Sequence, residues 1–213
     1  MPRYYPIYLD VKGKRCVVVG GGEVAYRKAL GLKEIGAEVV VIAPEFYKEL
    51  RSERGVTLLR QKYSGECLAG ASLVIAATDD KEVNQKVWED AQRHGLLVNV
   101  VDQPGLCNFI VPSVVNRGEL QISISTGGAS PALAKRIRQE LEDLFGPEYS
   151  ELTRLLSKLR PLVISSVKEE GKRRQVFELL SSPTMLMIIG QNGLKKAEEE
   201  MRKIISTVAS SKQ

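Results

Sequence analysis

The stretch KRCVVVGGGEVAYRKALGLKEIGAEVVVIAP, residues 14–44, reads as a strand, a glycine turn, a helix and a second strand. The apolar run at 16–19 is short and ends in glycines. After it, Val24, Ala25, Ala29, Leu32 and Ile35 recur at helical spacing on a shared face, and Gly36 stands where a helix stops. The next run, AEVVVIAP, is again short and unbroken. Continuous Val/Ile runs suit parallel strands covered on both faces, so this is a βαβ unit.

The alternation continues outward from that unit. VTLLRQ (56–61) predicts a third strand and ASLVIAATDD (71–80) a fourth. KEVNQKVWEDAQRHG (81–95) predicts an amphipathic helix, and LLVNVVD (96–102) a fifth strand. Strands alternating with helices imply a doubly wound α/β domain of the Rossmann type. After Pro112 the pattern changes. ELQISISTGG (119–128) alternates apolar and polar residues, as a half-exposed strand does. SPALAKRIRQELEDLFG (130–146) begins a helix with Ser130 as N-cap and Pro131 at its first position. From Pro147 onward the sequence reads helical.

The bulk numbers narrow the class. The chain has 213 residues, 43% hydrophobic and 27% charged, ordinary for a globular protein with a real core. There is no uncharged apolar run long enough to cross a membrane, and MPRYYPIYLDVKGK lacks the apolar core of a secretory leader. The three cysteines, Cys16, Cys67 and Cys107, are odd in number and without CxxC spacing, as expected of reduced thiols in the cytoplasm. The net charge of +5 suits a polyanionic small molecule, and no basic stretch interleaved with aromatics points to nucleic acid.

The glycine turn carries chemistry. Gly20, Gly22 and Ala25 form G-x-G-x-x-A, with Gly21 between the first two. Gly20 permits the tight turn, and Gly22 lets backbone approach a pyrophosphate. Ala25 lets helix and strand pack closely, and the helix N-terminus supplies free N–H groups and a partial positive charge. Pro44 and Glu45 end the second strand, where an acid bonds the adenosine ribose. Either Glu45 or the Ala43 position is in that register. No Arg or Lys immediately follows the strand to hold a 2′-phosphate, which favours NAD over NADP. Thr78 and Asp79 end the fourth strand, bordering the nicotinamide end, with Asp79 also suited to cap the following helix.

His94, the sole histidine, falls at the end of a helix, where a cation complements the dipole. No zinc-type cluster or GxSxG motif is present, so no metal site is expected. Proton transfer then falls to carboxylates, hydroxyls, lysines or water. Asp102 follows the fifth strand, in LLVNVVDQPGLCNFIVPS (96–113), and emerges at the same sheet edge as the glycine turn. Flanked by Val100, Val101 and the apolar FIV run, it is expected to be partly desolvated and suited to act as a base. Asp-x-Pro-Gly is equally a turn signature.

Together, IYLDVKGKRCVVVGGGEVAYRKALGL, VIAATDDKEVNQKV, NVVDQPGLCNFIVPS and ISISTGGASPALAKRIRQEL resemble the precorrin-2 dehydrogenase / sirohydrochlorin ferrochelatase family. The likeness runs in order over residues 5–150, and the tail matches mainly in length and helical character. It implies oxidation of precorrin-2 to sirohydrochlorin by NAD, in siroheme biosynthesis, with Asp102 as the general base. It further implies cofactor contacts at Gly22, Glu23, Val24, Pro44 and Glu45, and an intertwined homodimer whose helical tail borders the active site. Residues 1–112 are then the NAD-binding Rossmann domain, 113–148 the dimerisation segment and 149–213 the helical C-terminal domain. Some relatives insert Fe2+ as a further substrate. Asp102 could serve that step too, and the residues do not decide it.

A polycarboxylate tetrapyrrole suits the basic residues beyond the nucleotide domain, Arg117, Lys135, Arg136 and Arg138, each of which is equally readable as a solvated helix charge. STGGASP (125–131) is a second glycine turn at a helix start. It offers Thr126 and Gly127 to a propionate or acetate, with Ser123 a further candidate hydroxyl donor just before it, or serves as a plain cap. Two other functions use the same scaffold: an NAD-binding redox-sensing module, and a different small-molecule NAD(P) dehydrogenase.

Overall fold

The computed structural model describes residues 4–210; residues 1–3 and 211–213, the outermost ends of the first and last expected segments, lie outside the described residues. The chain divides into two compact units, Met1–Val111 and Pro112–Gln213.

The first unit is a five-stranded parallel sheet of β1 (Arg15–Val19), β2 (Glu38–Ala43), β3 (Val56–Arg60), β4 (Leu73–Ala76) and β5 (Leu97–Val100), in the order β3-β2-β1-β4-β5. Its helices are α1 (Glu23–Glu34), the short α2 (Lys48–Ser52) and α3 (Lys81–Arg93). The unbroken apolar runs have a plain cause: both faces of the sheet are covered. Cys16 and Val18 of β1 pack with Val39, Val41, Ala25 and Ala29 on one face. Val17 and Val19 pack with Val40, Ile42, Val87 and Ala91 on the other. From Cys16 to Val19 and from Val39 to Ile42 the side chains therefore alternate between two cores, and neither run has a polar residue.

The helix after β4 starts one residue later than a cap at Asp79 requires. Asp80 is the N-cap, its Oδ1 accepting from Glu82 N at 2.9 Å and Val83 N at 3.1 Å, while Asp79 is exposed. A capping side chain must immediately precede the first helical residue, here Lys81, so the second of the paired acids takes the role. His94 is the exposed C-cap of α3.

The second unit opens with an antiparallel pair, β6 (Ser113–Arg117) and β7 (Leu120–Ile124), followed by α4 (Pro131–Leu144). The sequence reading anticipates β7 but not β6. The missed signal is Gly118–Glu119, a two-residue Gly-X turn with Gly118 at φ 65. Ser130 caps α4 by accepting from Leu133 N at 3.2 Å, with Pro131 at the first position. Val115 and Ala134 are buried where β6 and α4 meet. The remaining helices are α5 (Glu148–Ser166), α6 (Glu170–Leu180) and α7 (Pro183–Ser210). Leu152, Leu155, Leu159 and Val163 of α5 recur at i, i+3 and i+4 and bury against Val176, Leu180, Met185, Ile189, Met201 and Ile205. α7 is broken at Gly193, whose φ 78, ψ 172 is a backbone state open to glycine alone.

Candidate active site

Five loops leave the carboxyl edge of the parallel sheet, and the backbone fixes those after β1, β2 and β4 to one another. The chain turns out of β1 at Gly20, φ 129, where an added Cβ would lie 2.2 Å from the Ala77 carbonyl oxygen at the end of β4. At Gly21 an added Cβ would lie 1.8 Å from the Glu45 carbonyl oxygen, and Tyr47 N donates to Gly21 O at 2.6 Å. Both glycines are therefore required by close backbone approach within the protein.

Gly22 is different. It is exposed, with φ −81, and nothing lies within 4 Å of an added Cβ. As N-cap of α1 it offers no side chain to the first N–H groups of the helix. An uncapped, open helix start with nothing filling the Cβ position is a cradle that fits the pyrophosphate of a dinucleotide, with the N–H groups of Glu23, Val24 and Ala25 and the positive helix end toward it. Of these residues, Ala25 is fully buried and carries the close packing of helix on strand.

Pro44 and Glu45 are exposed beside this loop. The structure adds a residue there that adjacency in sequence does not suggest. Arg60 pairs in register with Ala43, and its Nε donates to Pro44 O at 3.1 Å. The absence of a cation directly after β2 in sequence is thus no guide to the charge at the strand end, because β3 delivers one from its neighbouring position.

Thr78 has its hydroxyl committed within the protein: Oγ1 donates toward Asn84 Oδ1 at 2.8 Å or Asp80 O at 3.0 Å and accepts from Asp80 N at 3.2 Å. Asn84, buried, returns a bond from Nδ2 to Thr78 O at 2.9 Å. Thr78 and Asp79 therefore offer a ligand mainly a rigid loop backbone.

Asp102 emerges from β5 at the same edge. Among the described residues it is the one non-glycine with positive φ, at 57°. It is exposed, so the partial desolvation expected from its apolar neighbours is not found. Val100 turns into the core and the FIV run continues past the loop, which leaves the carboxylate outside both. Half-buried Lys28 of α1, a residue the sequence reading passed over, feels its charge. Burial and then Arg27 lower the Lys28 ammonium from its ordinary value, and Asp102 opposes them. The signal for Lys28 was a lysine between the buried positions Ala25 and Ala29.

The candidates in the second unit divide. Arg117 has its guanidinium engaged, with Nε donating to Phe145 O at 2.6 Å, Nη2 to Glu142 O at 2.9 Å and Nη1 to Asn116 O at 3.0 Å. It closes the carboxyl end of α4, and this structural duty takes donors that a substrate carboxylate would need. Arg136 and Arg138 pair with Glu140 and Glu142 one turn on. Lys135 is exposed. In the second glycine turn, Thr126 Oγ1 accepts from Ser130 N at 3.0 Å and Ser125 Oγ from Gly127 N at 3.1 Å. Gly127 and Gly128, at φ 63 and 88, have nothing within 4 Å of an added Cβ. Ser123 is exposed on β7. Among the described residues no three His, Cys, Asp or Glu side chains are grouped to hold a metal ion, and no helix is long and apolar enough to cross a membrane.

Comparison with known proteins adds independent findings. A family model described as "Putative NAD(P)-binding" matches residues 7–113, and one described as "Sirohaem biosynthesis protein central" matches residues 117–144. Proteins named siroheme synthase are similar: that of Nitrosospira multiformis is 41% identical over 91% of this chain and 43% of its own length. That of Pseudoalteromonas translucida is 36% identical over 97% of this chain and 44% of its own. The chain thus spans less than half the length of these curated relatives. A solved structure titled SirC, precorrin-2 dehydrogenase, superposes with a TM-score of 0.78 at 27% identity, covering 94% of this chain and 100% of that one.

Proposed function

This chain belongs to the family described as "Putative NAD(P)-binding", and we propose that it oxidises precorrin-2 to sirohydrochlorin with NAD+ in siroheme biosynthesis. The observation that carries the reading is the pairing, on one sheet edge, of the open helix start at Gly22 with the exposed carboxylate of Asp102. A redox-sensing module needs the first feature and has no use for the second.

In this reading the N–H groups from Gly22 to Ala25 hold the pyrophosphate, Pro44 and Glu45 meet the adenosine ribose, and the backbone at Thr78 and Asp79 borders the nicotinamide. When bound, NAD+ supplies a hydride acceptor. Asp102 takes the proton that leaves the tetrapyrrole, a task for which its exposure on a fixed loop suits it. Ser123, Thr126, Gly127 and Lys135 are assigned to the substrate carboxylates. Arg117, already bonded to three carbonyl oxygens, is left out of that set.

The reading includes a homodimer formed through 113–148, where Val114, Leu133 and Leu144 are exposed apolar side chains at 37%, 38% and 66%. It also sets the reaction in the cytoplasm, consistent with three free cysteines. Fe2+ enters only as a further substrate, and chelation is a separate activity.

The test is incubation with precorrin-2 and NAD+, followed by the absorbance of sirohydrochlorin. Formation dependent on both protein and NAD+ supports the proposal. Tight NAD+ binding with no product returns the chain to a sensing role. Fe2+ added to sirohydrochlorin, with and without the protein, decides chelation, and sedimentation at several concentrations decides the dimer.

A further inference from the structure

We propose that Cys107 and Asn108 are positioning residues that hold Asp102 in place by fastening the returning chain to the free edge of β5. The inference rests on the dehydrogenase reading for its catalytic consequence, although the fastening itself is a property of the fold.

β5 is the last strand of the sheet, and an edge strand presents backbone groups with no strand to pair them. Here the chain leaves β5 at Val101, turns through Asp102 and a 3-10 turn at Pro104–Leu106, and runs back antiparallel to the strand. Among the described residues no sixth strand joins this sheet. Only one backbone bond of such a pairing is made, Asn108 N to Val98 O at 3.0 Å. Side chains supply the rest. Asn108 Oδ1 accepts from Val98 N at 2.7 Å, in the place where a partner strand would put a carbonyl. Its Nδ2 donates to Leu96 O at 2.8 Å. Cys107 Sγ accepts from Val100 N at 3.2 Å, and its S–H reaches Val100 O and Gln103 O, each at 3.3 Å. Asn99 Nδ2 completes the seam by donating to Phe109 O at 3.0 Å.

The seam brackets Asp102. Val101 N donates to Ala76 O at 2.9 Å and Gln103 N to Val100 O at 3.2 Å, so the residues on either side are tied to the sheet. Cys107 takes the Gln103 carbonyl as well, which holds the Gln103–Pro104 peptide, one residue past the aspartate. A left-handed aspartate is a strained state that persists only where its surroundings over-determine it. Cys107 and Asn108 are what over-determines it. Burial pushes the Cys107 thiol up from its ordinary value, which keeps the proton that this role requires.

Two measurements on the full chain test the proposal. In hydrogen exchange of the wild type, the Val98 and Val100 amides are expected to be slowed about a hundredfold or more over open chain, although no strand lies on the side they face. Fast exchange of these amides overturns the fastening, whatever the chain catalyses. In turnover of precorrin-2, Cys107→Ala and Asn108→Ala are each expected to lower kcat about tenfold or more, with the KM for NAD+ within about twofold. Cys107→Ser, which keeps a donor and an acceptor, is expected to recover most of that loss. In an Asp102→Asn background, Cys107→Ala should cost nothing further, because its effect acts through the carboxylate. An equal loss in that background, or an unchanged kcat in Cys107→Ala, overturns the positioning role. A wild type that forms no sirohydrochlorin removes the dehydrogenase reading, and the catalytic consequence goes with it.

Discussion

Gly20 and Ala77 touch: a Cβ on the first would stand 2.2 Å from the carbonyl oxygen of the second. The first turn of the glycine loop is thereby clamped to the end of β4, and it cannot move aside without breaking the Ala77 N to Val19 O bond at 2.7 Å. The loop proposed to receive a dinucleotide is therefore held in place by the fold itself.

Glycines two positions apart should therefore behave oppositely. Gly20→Ala meets backbone and a φ of 129, and is expected to cost at least about 2 kcal/mol in a denaturant melt. Gly22→Ala meets nothing within 4 Å and has an ordinary φ of −81, so its stability should change by less than about 1 kcal/mol. Its methyl group instead occupies the cradle, and NAD+ affinity measured by calorimetry should fall about tenfold or more. Equal affinity in Gly22→Ala and wild type would remove Gly22 from the cofactor site.

Asp102 separates function from conformation. Asp102→Asn keeps a residue that tolerates the left-handed state, so it should fold normally and bind NAD+ within a few-fold. Turnover should fall about a hundredfold or more. Asp102→Gly and Asp102→Ala should both be inactive, with the glycine variant about 1 kcal/mol the more stable because φ 57 strains alanine. Near-normal turnover in Asp102→Asn would make this residue a turn former only.

Tyr63 and Asp90 form a buried tie between the segment after β3 and α3. Tyr63 Oη donates to Asp90 at 2.9 Å, and Asp90, 4% exposed, also pairs with Arg93 at 2.6 Å. Tyr63→Phe should cost about 1–2 kcal/mol, since Asp90 loses a donor it cannot replace with water. Burial, and then the Asp90 bond and charge, hold the Tyr63 phenol far above its ordinary value. The unfolded phenol ionises near pH 10 and the folded one later, so the tie's stabilisation is complete below pH 10 and is lost as pH rises further. Tyr63→Phe should flatten the alkaline limb of stability against pH, and an unaltered slope would assign it to other groups.

The thiols offer a parallel check. Burial pushes Cys16, fully enclosed in β1, up to about 11 from 9.0. The unfolded thiol loses its proton first, so stability contributed by Cys16 is full below pH 9 and falls between pH 9 and 11. Cys16→Ala should remove that fall, whatever its effect at neutral pH. With a disulfide reagent at neutral pH, Cys16 should react only after unfolding, because the thiolate is the attacking form and the site is closed. Cys67 should ionise more readily than Cys16. Burial raises it too, but the Ser64 and Gln61 hydrogen bonds and the Arg15 charge bring it below its ordinary value. Rapid modification of Cys16 in the native protein would contradict its enclosure.

Much of this architecture is legible locally. The runs at 16–19 and 39–43 announce parallel strands because each side chain there meets one of two cores. Gly20 announces the loop because its φ and the Ala77 carbonyl leave no room for a side chain on that backbone path, and Ser130–Pro131 announces α4 through its own hydrogen bond and ring. The misreadings were short-range as well. β6 was hidden because its pairing depends on β7 across a two-residue turn, and the cap of α3 fell to Asp80 because the helix begins at Lys81.

The sequence by itself determined the βαβ order, the glycine loop and the presence of a carboxylate after the fifth strand, all of them set by residues a few positions apart. Only the tertiary structure decided what those features do to one another. It brought Arg60 to the end of β2 through strand register, spent Arg117 on the carbonyls closing α4, and left Asp102 exposed and left-handed beneath the seam of Cys107 and Asn108. The reason is the range of the forces involved. Periodicity and backbone strain act along the chain, whereas hydrogen-bond partners are chosen by which strands and loops packing brings side by side.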